Sequence, residues 1–277
     1  MTHRKRKHLT MATAGIAALA LGLSACGGGG DAEAGGDPEG NLEDTYVVAS
    51  DTSFVPFAFD EDGEYVGFDM DIINELAERV GFEIQLETTN FDGIIPGLQT
   101  GSFDIAIAGI GITEERAEVI DYTDPYYMSG LRIAVATDEE EIENVEDLEG
   151  KTVATRLGST SAAYIEENIP GATANTYEQL DQAYLSVEGG GSDAILYDAP
   201  NVEYYVETAG EDSLKVTGDL FEAENYGIAV SKGNEDLVAA LDEALAEVIA
   251  DGTYAEIHSE WFGSAPEWLD DLAAAAD

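Results

Sequence analysis

Apolar residues recur along the chain with two different spacings between about residues 46 and 263. Short runs such as TYVVAS, EIQLET and DIAIAG have the length and pattern of buried strands. Between them lie stretches whose apolar residues stand three and four positions apart, the spacing of an amphipathic helix, as at Ile72, Ile73, Leu76 and Val80. Strands that alternate with helices predict an α/β fold.

The stretch from Phe91 to Arg132 joins a helix, a strand and a second helix start. Its strand DIAIAG ends at Gly109 and Gly111, and Thr113 is the predicted N-cap of the helix TEER. Exposed backbone N–H groups after a strand, with an arginine one turn further on, suit a carboxylate ligand. The alternative is an ordinary strand–turn–helix with a surface arginine.

A second set of strands and helices follows the charged run DEEEIENVEDLEG. GKTVATRLGSTSAAYIEENI predicts a strand, a glycine loop and a helix, and GSDAILYDAPNVEYYVE predicts a strand that ends at Tyr197 and Asp198. The last apolar stretch, DLVAALDEALAEVIADGTYAEIHSEWFG, predicts a long helix and a shorter one. Before the first helix, Asp69 or Asp71 is the predicted cap. The repeated pattern predicts two α/β lobes.

These motifs, in this order and spacing, resemble the family 3 extracellular solute-binding proteins of ABC importers for polar amino acids, above all the glutamine-binding proteins. The resemblance extends from Tyr46 to Gly263. It implies a two-lobed periplasmic-binding-protein fold of type II, with the ligand in the cleft between the lobes. Lobe 1 would hold residues 46–127 and 227–277, and lobe 2 residues 128–226, with hinge crossings near 124–131 and 221–227.

The resemblance also implies which residues hold the two charged groups of a free amino acid. Arg116 would bind the α-carboxylate with the backbone N–H groups of Gly111 and Thr160. Asp198 and the carbonyl of Gly109 would accept the ammonium group, although Asp198 could instead be only a helix N-cap. Many relatives carry serine or threonine at position 111, so glycine there predicts weaker affinity.

The side chain of the ligand would lie between Phe54 and Phe91, each of which could also be an ordinary core residue. At its tip, Arg156 would donate to an amide oxygen and Asp51 would accept from the amide nitrogen. Asp51 could alternatively be only a turn residue. Tyr197 stands where the most similar relatives have histidine. A neutral polar side chain fits this pair, so glutamine is the expected ligand, with glutamate or asparagine as alternatives.

The expected function is that of a binding protein for transport, not of an enzyme. Two lobes would close around the amino acid and present it to an ABC permease. The fold could alternatively serve an exported dehydratase or the ligand-sensing subunit of a membrane receptor. His258 is the one histidine after the N-terminal segment, and its place in a helix predicts packing or surface exposure. We therefore expect no metal, no cofactor and no enzymatic activity, and a monomeric protein.

The balance of charge excludes several partners. The 277 residues include 11 lysines and arginines against 58 aspartates and glutamates, a formal net charge of −47. Nucleic acids and anionic lipid headgroups would be repelled by this charge. An acidic surface of this kind keeps proteins soluble in halophilic hosts, so a salt-adapted source is expected.

The N-terminal segment has the features of a lipoprotein signal peptide. Four basic residues at positions 4–7 precede the apolar run MATAGIAALALGL and the sequence LSAC. The pattern implies cleavage after residue 25 and lipid attachment to Cys26, followed by a flexible glycine-rich and acidic linker over 26–45. The alternative, a transmembrane anchor, would need about 20 apolar residues. The expected location is the outer face of the cytoplasmic membrane, with contact through the lipid only.

Overall fold

A computed structural model of the chain describes residues 42–269 and residue 272. The predicted signal peptide, Cys26 and most of the predicted linker lie outside these residues. In the part of the chain that the structure describes, no helix combines the length and the apolar character needed to cross a membrane.

Strands and helices alternate along the described residues. The strands are β1 Thr45–Ser50, β2 Ser53–Phe54, β3 Ala58–Glu61, β4 Glu64–Val66, β5 Glu83–Thr88, β6 Ile105–Ala106, β7 Ile120–Ala136, β8 Thr152–Arg156, β9 Thr173–Tyr177, β10 Ala194–Asp198 and β11 Leu214–Ser231. The helices are α1 Phe68–Val80, α2 Phe91–Gln99, α3 Glu114–Ala117, α4 Thr160–Asn168, α5 Leu180–Glu188, α6 Ala199–Thr208, α7 Glu235–Asp251 and α8 Thr253–Phe262, and a 3₁₀ turn covers Val145–Leu148.

One eight-stranded sheet with the order β5-β1-β6-β11-β7-β10-β8-β9 organises the molecule. The two longest strands, β7 and β11, form an antiparallel ribbon at its centre. At one end of this ribbon β11 pairs with β6, which continues to β1 and β5. At the other end β7 pairs with β10, which continues to β8 and β9. The ribbon therefore connects two groups of parallel strands.

The middle of the ribbon is irregular. The pairing of β7 with β11 shifts register at four places between Thr217 and Ala229. Bulges of this kind bend a strand and redirect its side chains. Glu224 and Tyr226 lie in this irregular section, where the chain passes from one strand group to the other.

Most predicted elements are confirmed, with two corrections. DIAIAG forms strand only at Ile105–Ala106, because the chain turns towards α3 after Ala106. The prediction that Asp69 or Asp71 caps α1 is wrong: the N-cap is Gly67, and no side chain caps this helix end. Asp71 instead accepts a hydrogen bond of 2.7 Å from the indole Nε1 of Trp261.

His258 packs inside an aromatic cluster. Its ring stacks on Tyr127 with 5.9 Å between centroids, and its Nδ1 lies 2.6 Å from the carbonyl oxygen of Ser264. Burial lowers the pKa of His258. The prediction of a packing histidine is confirmed.

Candidate functional site

The carboxyl ends of both strand groups meet at one place. Asp51 follows β1 directly, and Gly109 follows β6, the parallel neighbour of β1. Arg156 and Asp198 are the last residues of β8 and β10, which are also parallel neighbours. Open α/β sheets bind ligands outside the carboxyl ends of their strands. This junction is therefore the candidate site.

Asp51 and Arg156 form an ion pair across the junction, with both side chains almost fully buried. Nη2 of Arg156 donates to Oδ2 of Asp51, to Oγ of Ser53 at 2.9 Å and to the carbonyl oxygen of Glu178 at 3.2 Å. Oδ1 of Asp51 also accepts from the backbone N–H of Ser53 at 2.9 Å, so Asp51 has the turn role as well. Nε and Nη1 of Arg156 are buried without a hydrogen-bond partner.

Aromatic rings line both sides of this ion pair. The guanidinium carbons of Arg116 and Arg156 each lie 5.6 Å from the ring centroid of Phe91, within cation–π range. Phe54 is 1% exposed and meets the ring of Tyr197 edge-on at 6.1 Å. The two arginines therefore share one aromatic surface, which restricts where their guanidinium groups can lie.

Arg116 connects loops from both strand groups. Thr113 caps α3 as predicted, because its Oγ1 accepts the backbone N–H of Arg116 at 3.2 Å. Nη1 of Arg116 donates to the carbonyl oxygen of Gly111 at 2.8 Å, and Nη2 donates to that of Gly158 at 2.9 Å. Gly158 precedes α4 in the second strand group. The guanidinium thus reaches across the junction.

Asp198 occupies the N-cap position of α6, but its side chain makes no capping bond. Its Oδ2 accepts a hydrogen bond of 2.5 Å from the hydroxyl of Tyr226, and its Oδ1 is buried without a partner. Burial raises the pKa of Asp198 well above its usual value, and the carboxylate of Glu224 adds to the rise. Tyr226, Arg116 and Arg156 oppose it. A buried acceptor of this kind needs a donor from a ligand or a water molecule.

Glu224 belongs to the site, although the sequence did not single it out among 58 acidic residues. Its Oε1 lies 1.7 Å from the position that a Cβ of residue 111 would take, so the carboxylate fills the side-chain space of Gly111. Its Oε2 is buried without a partner. Burial raises the pKa of Glu224, while Thr160 and Arg116 lower it. Sequence spacing carries no signal for such a contact.

Asp69 is a second residue that sequence reasoning missed. Its carboxylate is completely buried and accepts the backbone N–H of Gly109 at 3.0 Å and the hydroxyl of Tyr126 at 2.9 Å. Gly109 has a φ of 57°, and a Cβ there would lie 2.3 Å from the ring of Phe54. Asp69 therefore fixes the backbone of Gly109 directly against the aromatic wall of the site.

Burial raises the pKa of Asp69 to about 7, so the folded protein binds a proton there that the unfolded chain releases above its ordinary value of 3.8. This stabilisation is present at low pH and is lost as pH rises through about 7. An asparagine can accept from Gly109 and donate to Tyr126 without ionising. Wild type should therefore lose about 2–3 kcal/mol of unfolding free energy between pH 5 and pH 8 that Asp69→Asn keeps. Urea unfolding at both pH values measures this; a constant difference would contradict the assignment.

Two cavities open beside the junction. One of about 600 Å³ is lined by Thr160 and Glu224 among others, and one of about 860 Å³ is lined by Arg116, Gly158 and Thr160. Neither is lined by Asp51 or Asp198. Asp51, Arg156, Phe54 and Phe91 are buried, and both cavities reach the junction at Thr160.

The sequence matches the profile of the bacterial extracellular solute-binding proteins, family 3, over residues 46–264. The chain belongs to this family. It is 33% identical to the L-cystine-binding protein TcyJ of Escherichia coli K12 over 222 residues, which are 79% of this chain and 83% of that protein. It is 31% identical to the ABC transporter glutamine-binding protein GlnH of Bacillus subtilis 168 over 277 residues, 94% of this chain and 99% of that protein.

Solved structures show the same fold. An ancestral arginine-binding protein, determined with arginine and with glutamine bound, has 38% identity and a TM-score of 0.77. The alignment covers 80% of this chain and 99% of the arginine-bound one. The predicted two-lobed periplasmic-binding-protein fold is confirmed, and the relatives are named as binding proteins rather than enzymes.

All ten residues predicted for the site lie at or next to the junction. Direct contacts connect most of them in two sets. One set joins Asp51 with Arg156, Phe91 with both arginines and Arg116 with Gly111, and the other joins Phe54 with Gly109 and Tyr197. Thr160 lines both cavities, and Asp198 adjoins Tyr197 in β10. The parts that these residues take in binding a ligand stay predictions.

Proposed function

We propose that this protein is an exported, lipid-anchored receptor that binds a free polar amino acid, glutamine first, and delivers it to an ABC importer. One observation carries the proposal: at the junction the cation of Arg116 lies near enough to the carboxylate of Asp198 to lower its pKa. An amino acid carries the complementary pair of charges on adjacent groups. The names of the relatives, which include a glutamine-binding protein, support this choice.

The α-carboxylate is assigned to Arg116. Its two terminal nitrogens donate to the carbonyl oxygens of Gly111 and Gly158, which are neutral acceptors. A carboxylate is a stronger acceptor for a guanidinium, and binds it through two parallel hydrogen bonds. Hydrogen bonds to charged groups contribute about 1.5–3 kcal/mol each. The exchange of neutral acceptors for a carboxylate therefore favours binding.

The ligand side chain is assigned to Asp51 and Arg156. Nε and Nη1 of Arg156 have no partner, so they can donate to an amide oxygen while the carboxylate of Asp51 accepts from the amide nitrogen. A glutamate side chain would face Asp51 and an arginine side chain would face Arg156. Like charges about 4 Å apart cost about 4 kcal/mol at an effective dielectric constant near 20. This favours a neutral side chain over either charged one.

Closure of two lobes around the ligand is the proposed mechanism, with lobe 1 at 46–127 and 227–277, lobe 2 at 128–226, and hinge crossings near 124–131 and 221–227. Several bonds connect these parts in the described structure. Nδ2 of Asn201 donates to the carbonyl oxygen of Val55 at 2.6 Å, and Nε2 of Gln179 donates to Oδ1 of Asn90 at 2.7 Å. Together with the Asp51–Arg156 pair, these bonds support a closed arrangement of the two proposed lobes, which a ligand that completes the contacts would favour.

A thermal-shift and calorimetric screen of the twenty amino acids tests the proposal. A ligand at 100 times its Kd stabilises the folded protein by about 2.7 kcal/mol, which gives a clear rise in Tm. We expect glutamine to give the largest rise, asparagine and glutamate smaller ones, and lysine and arginine little or none. A screen in which no amino acid raises the Tm would contradict the proposed function, and a basic amino acid in first place would contradict the assigned side-chain pocket.

A further inference from the structure

Glu224 has no part in the binding scheme above, yet its carboxylate lies inside the same junction. We infer that Glu224 and Asp198 together hold the ammonium group of the bound amino acid, so that the site has two carboxylates at its ammonium end. This inference rests on the proposed function and adds a binding residue to it. Three observations support it: the space that Glu224 fills, the unpaired oxygen atoms, and the balance of charge.

The space for Glu224 exists because residue 111 is glycine. Oε1 lies 1.7 Å from the position of a Cβ at residue 111, so any other side chain there would displace the carboxylate. Gly111 and Tyr226 form a β-bridge that brings β11 against this loop, two residues beyond Glu224. Glycine at position 111 therefore makes room for the carboxylate that β11 supplies.

The unpaired carboxylate oxygens are acceptors of the type that an ammonium group needs. Oε2 of Glu224 and Oδ1 of Asp198 are buried carboxylate oxygens without a hydrogen-bond partner. An ammonium group has three N–H donors and no acceptor. These two oxygens, with the carbonyl of Gly109 as the third acceptor, would satisfy all three donors. Leaving either oxygen unpaired in the bound state would cost the full desolvation of a charged group.

The charges around Glu224 leave one carboxylate without a cation. Arg116 and Arg156 are the cations that act on this pair of carboxylates. The other groups that face the pair are Thr160, Tyr122, Tyr184, Tyr197 and Tyr226. Arg156 is paired with Asp51, and the ligand carboxylate takes Arg116 in the bound state. Asp198 and Glu224 repel each other as like charges, which disfavours ionisation of both until a cation comes between them. Burial raises the pKa of Glu224 and of Asp198, in agreement with a proton held by the pair.

Proton release on binding follows from this arrangement. The free protein holds a proton on the carboxylate pair, and the ammonium group of the ligand replaces it. The pKa of the pair is therefore higher in the free protein than in the complex. Affinity rises with pH up to the pKa of the free pair and is constant above it, and near and below that pKa each molecule of ligand displaces up to one proton.

Calorimetric titration of the full protein with glutamine, at pH 5 to 8 and in buffers of different ionisation enthalpy, tests the inference. The variant is Glu224→Gln, and the matched control is Glu222→Gln, which changes an exposed glutamate two residues away in β11. We expect wild type and Glu222→Gln to release up to one proton and to gain up to about tenfold affinity per pH unit below the pKa of the free pair. Glu224→Gln should bind glutamine about 10- to 100-fold more weakly at pH 7 and should release fewer protons on binding than wild type.

Three outcomes separate this inference from the proposed function. Equal affinity and equal proton release for Glu224→Gln and Glu222→Gln would overturn the inference alone. Binding by wild type without proton release at any pH would overturn it too. If no amino acid binds wild type, the proposed function fails and the inference fails with it. A thermal unfolding curve for each variant establishes that a loss of binding comes from the site rather than from unfolding.

Discussion

Replacement of Arg116 by alanine is expected to lower the affinity for the amino acid by at least about 100-fold, below the range of ordinary calorimetry. The guanidinium would make two charge-assisted hydrogen bonds to the α-carboxylate, each of about 1.5–3 kcal/mol. Every 1.4 kcal/mol corresponds to about a factor of ten in Kd.

Two further variants show whether the loss belongs to the site. Arg116→Lys keeps the charge but not the planar pair of donors, so it should recover only a small part of the affinity. Arg79→Ala removes an arginine that pairs with Glu75 and Asp251 at 2.8 Å each, near the amino end of β5 and therefore at the opposite end of the strands from the junction. It should bind like wild type. Unchanged affinity in Arg116→Ala would remove Arg116 from the site.

The second large effect is a change of specificity on replacing Arg156 by methionine. Methionine keeps an unbranched apolar stem but removes the cation, which leaves the buried carboxylate of Asp51 without its partner. A cationic ligand side chain can then take the place of the guanidinium. Removal of a like-charge repulsion of about 4 kcal/mol and gain of an ion pair should shift the ratio of arginine to glutamine affinity by at least about 100-fold.

Competition between labelled glutamine and unlabelled arginine in wild type and Arg156→Met measures this ratio. Asp51→Asn is the complementary variant, because it removes the anion and keeps the cation of Arg156. Its affinity for glutamate should rise relative to glutamine, and its affinity for arginine should stay low. If Arg156→Met binds nothing but remains folded by circular dichroism, Asp51→Asn alone decides the assignment. An unchanged order of ligands in both variants would place the side-chain pocket elsewhere.

Local features of this protein could be predicted because neighbouring residues determine them. Thr113 caps α3 since its hydroxyl reaches the N–H three residues later, and α7 and α8 follow the period of their apolar residues. The end of β10 at Asp198, directly before α6, follows from the strand pattern of AILYD and the helix start at Ala199–Pro200. Each of these depends on contacts within a few residues.

The features that were missed depend on residues far apart in the sequence. Asp69 has the appearance of a helix cap, but the sheet places Gly109, 40 residues later, against its carboxylate. Asp51 and Arg156 were both predicted for the site, yet only the fold shows that they bind each other across 105 residues. Glu224 fills the space of Gly111 because bulges in the central ribbon redirect its side chain. No local spacing encodes such contacts.

A crystal structure of the protein with the amino acid that gives the largest thermal shift would show whether Arg116 and Asp198 hold the two charged groups of the ligand. We expect one ligand molecule in the junction, with its carboxylate within about 3.2 Å of the guanidinium of Arg116 and its ammonium group within about the same distance of Asp198, the usual range of hydrogen bonds. A ligand bound in the same cleft with its charged groups reversed, or bound at any other surface, would contradict it.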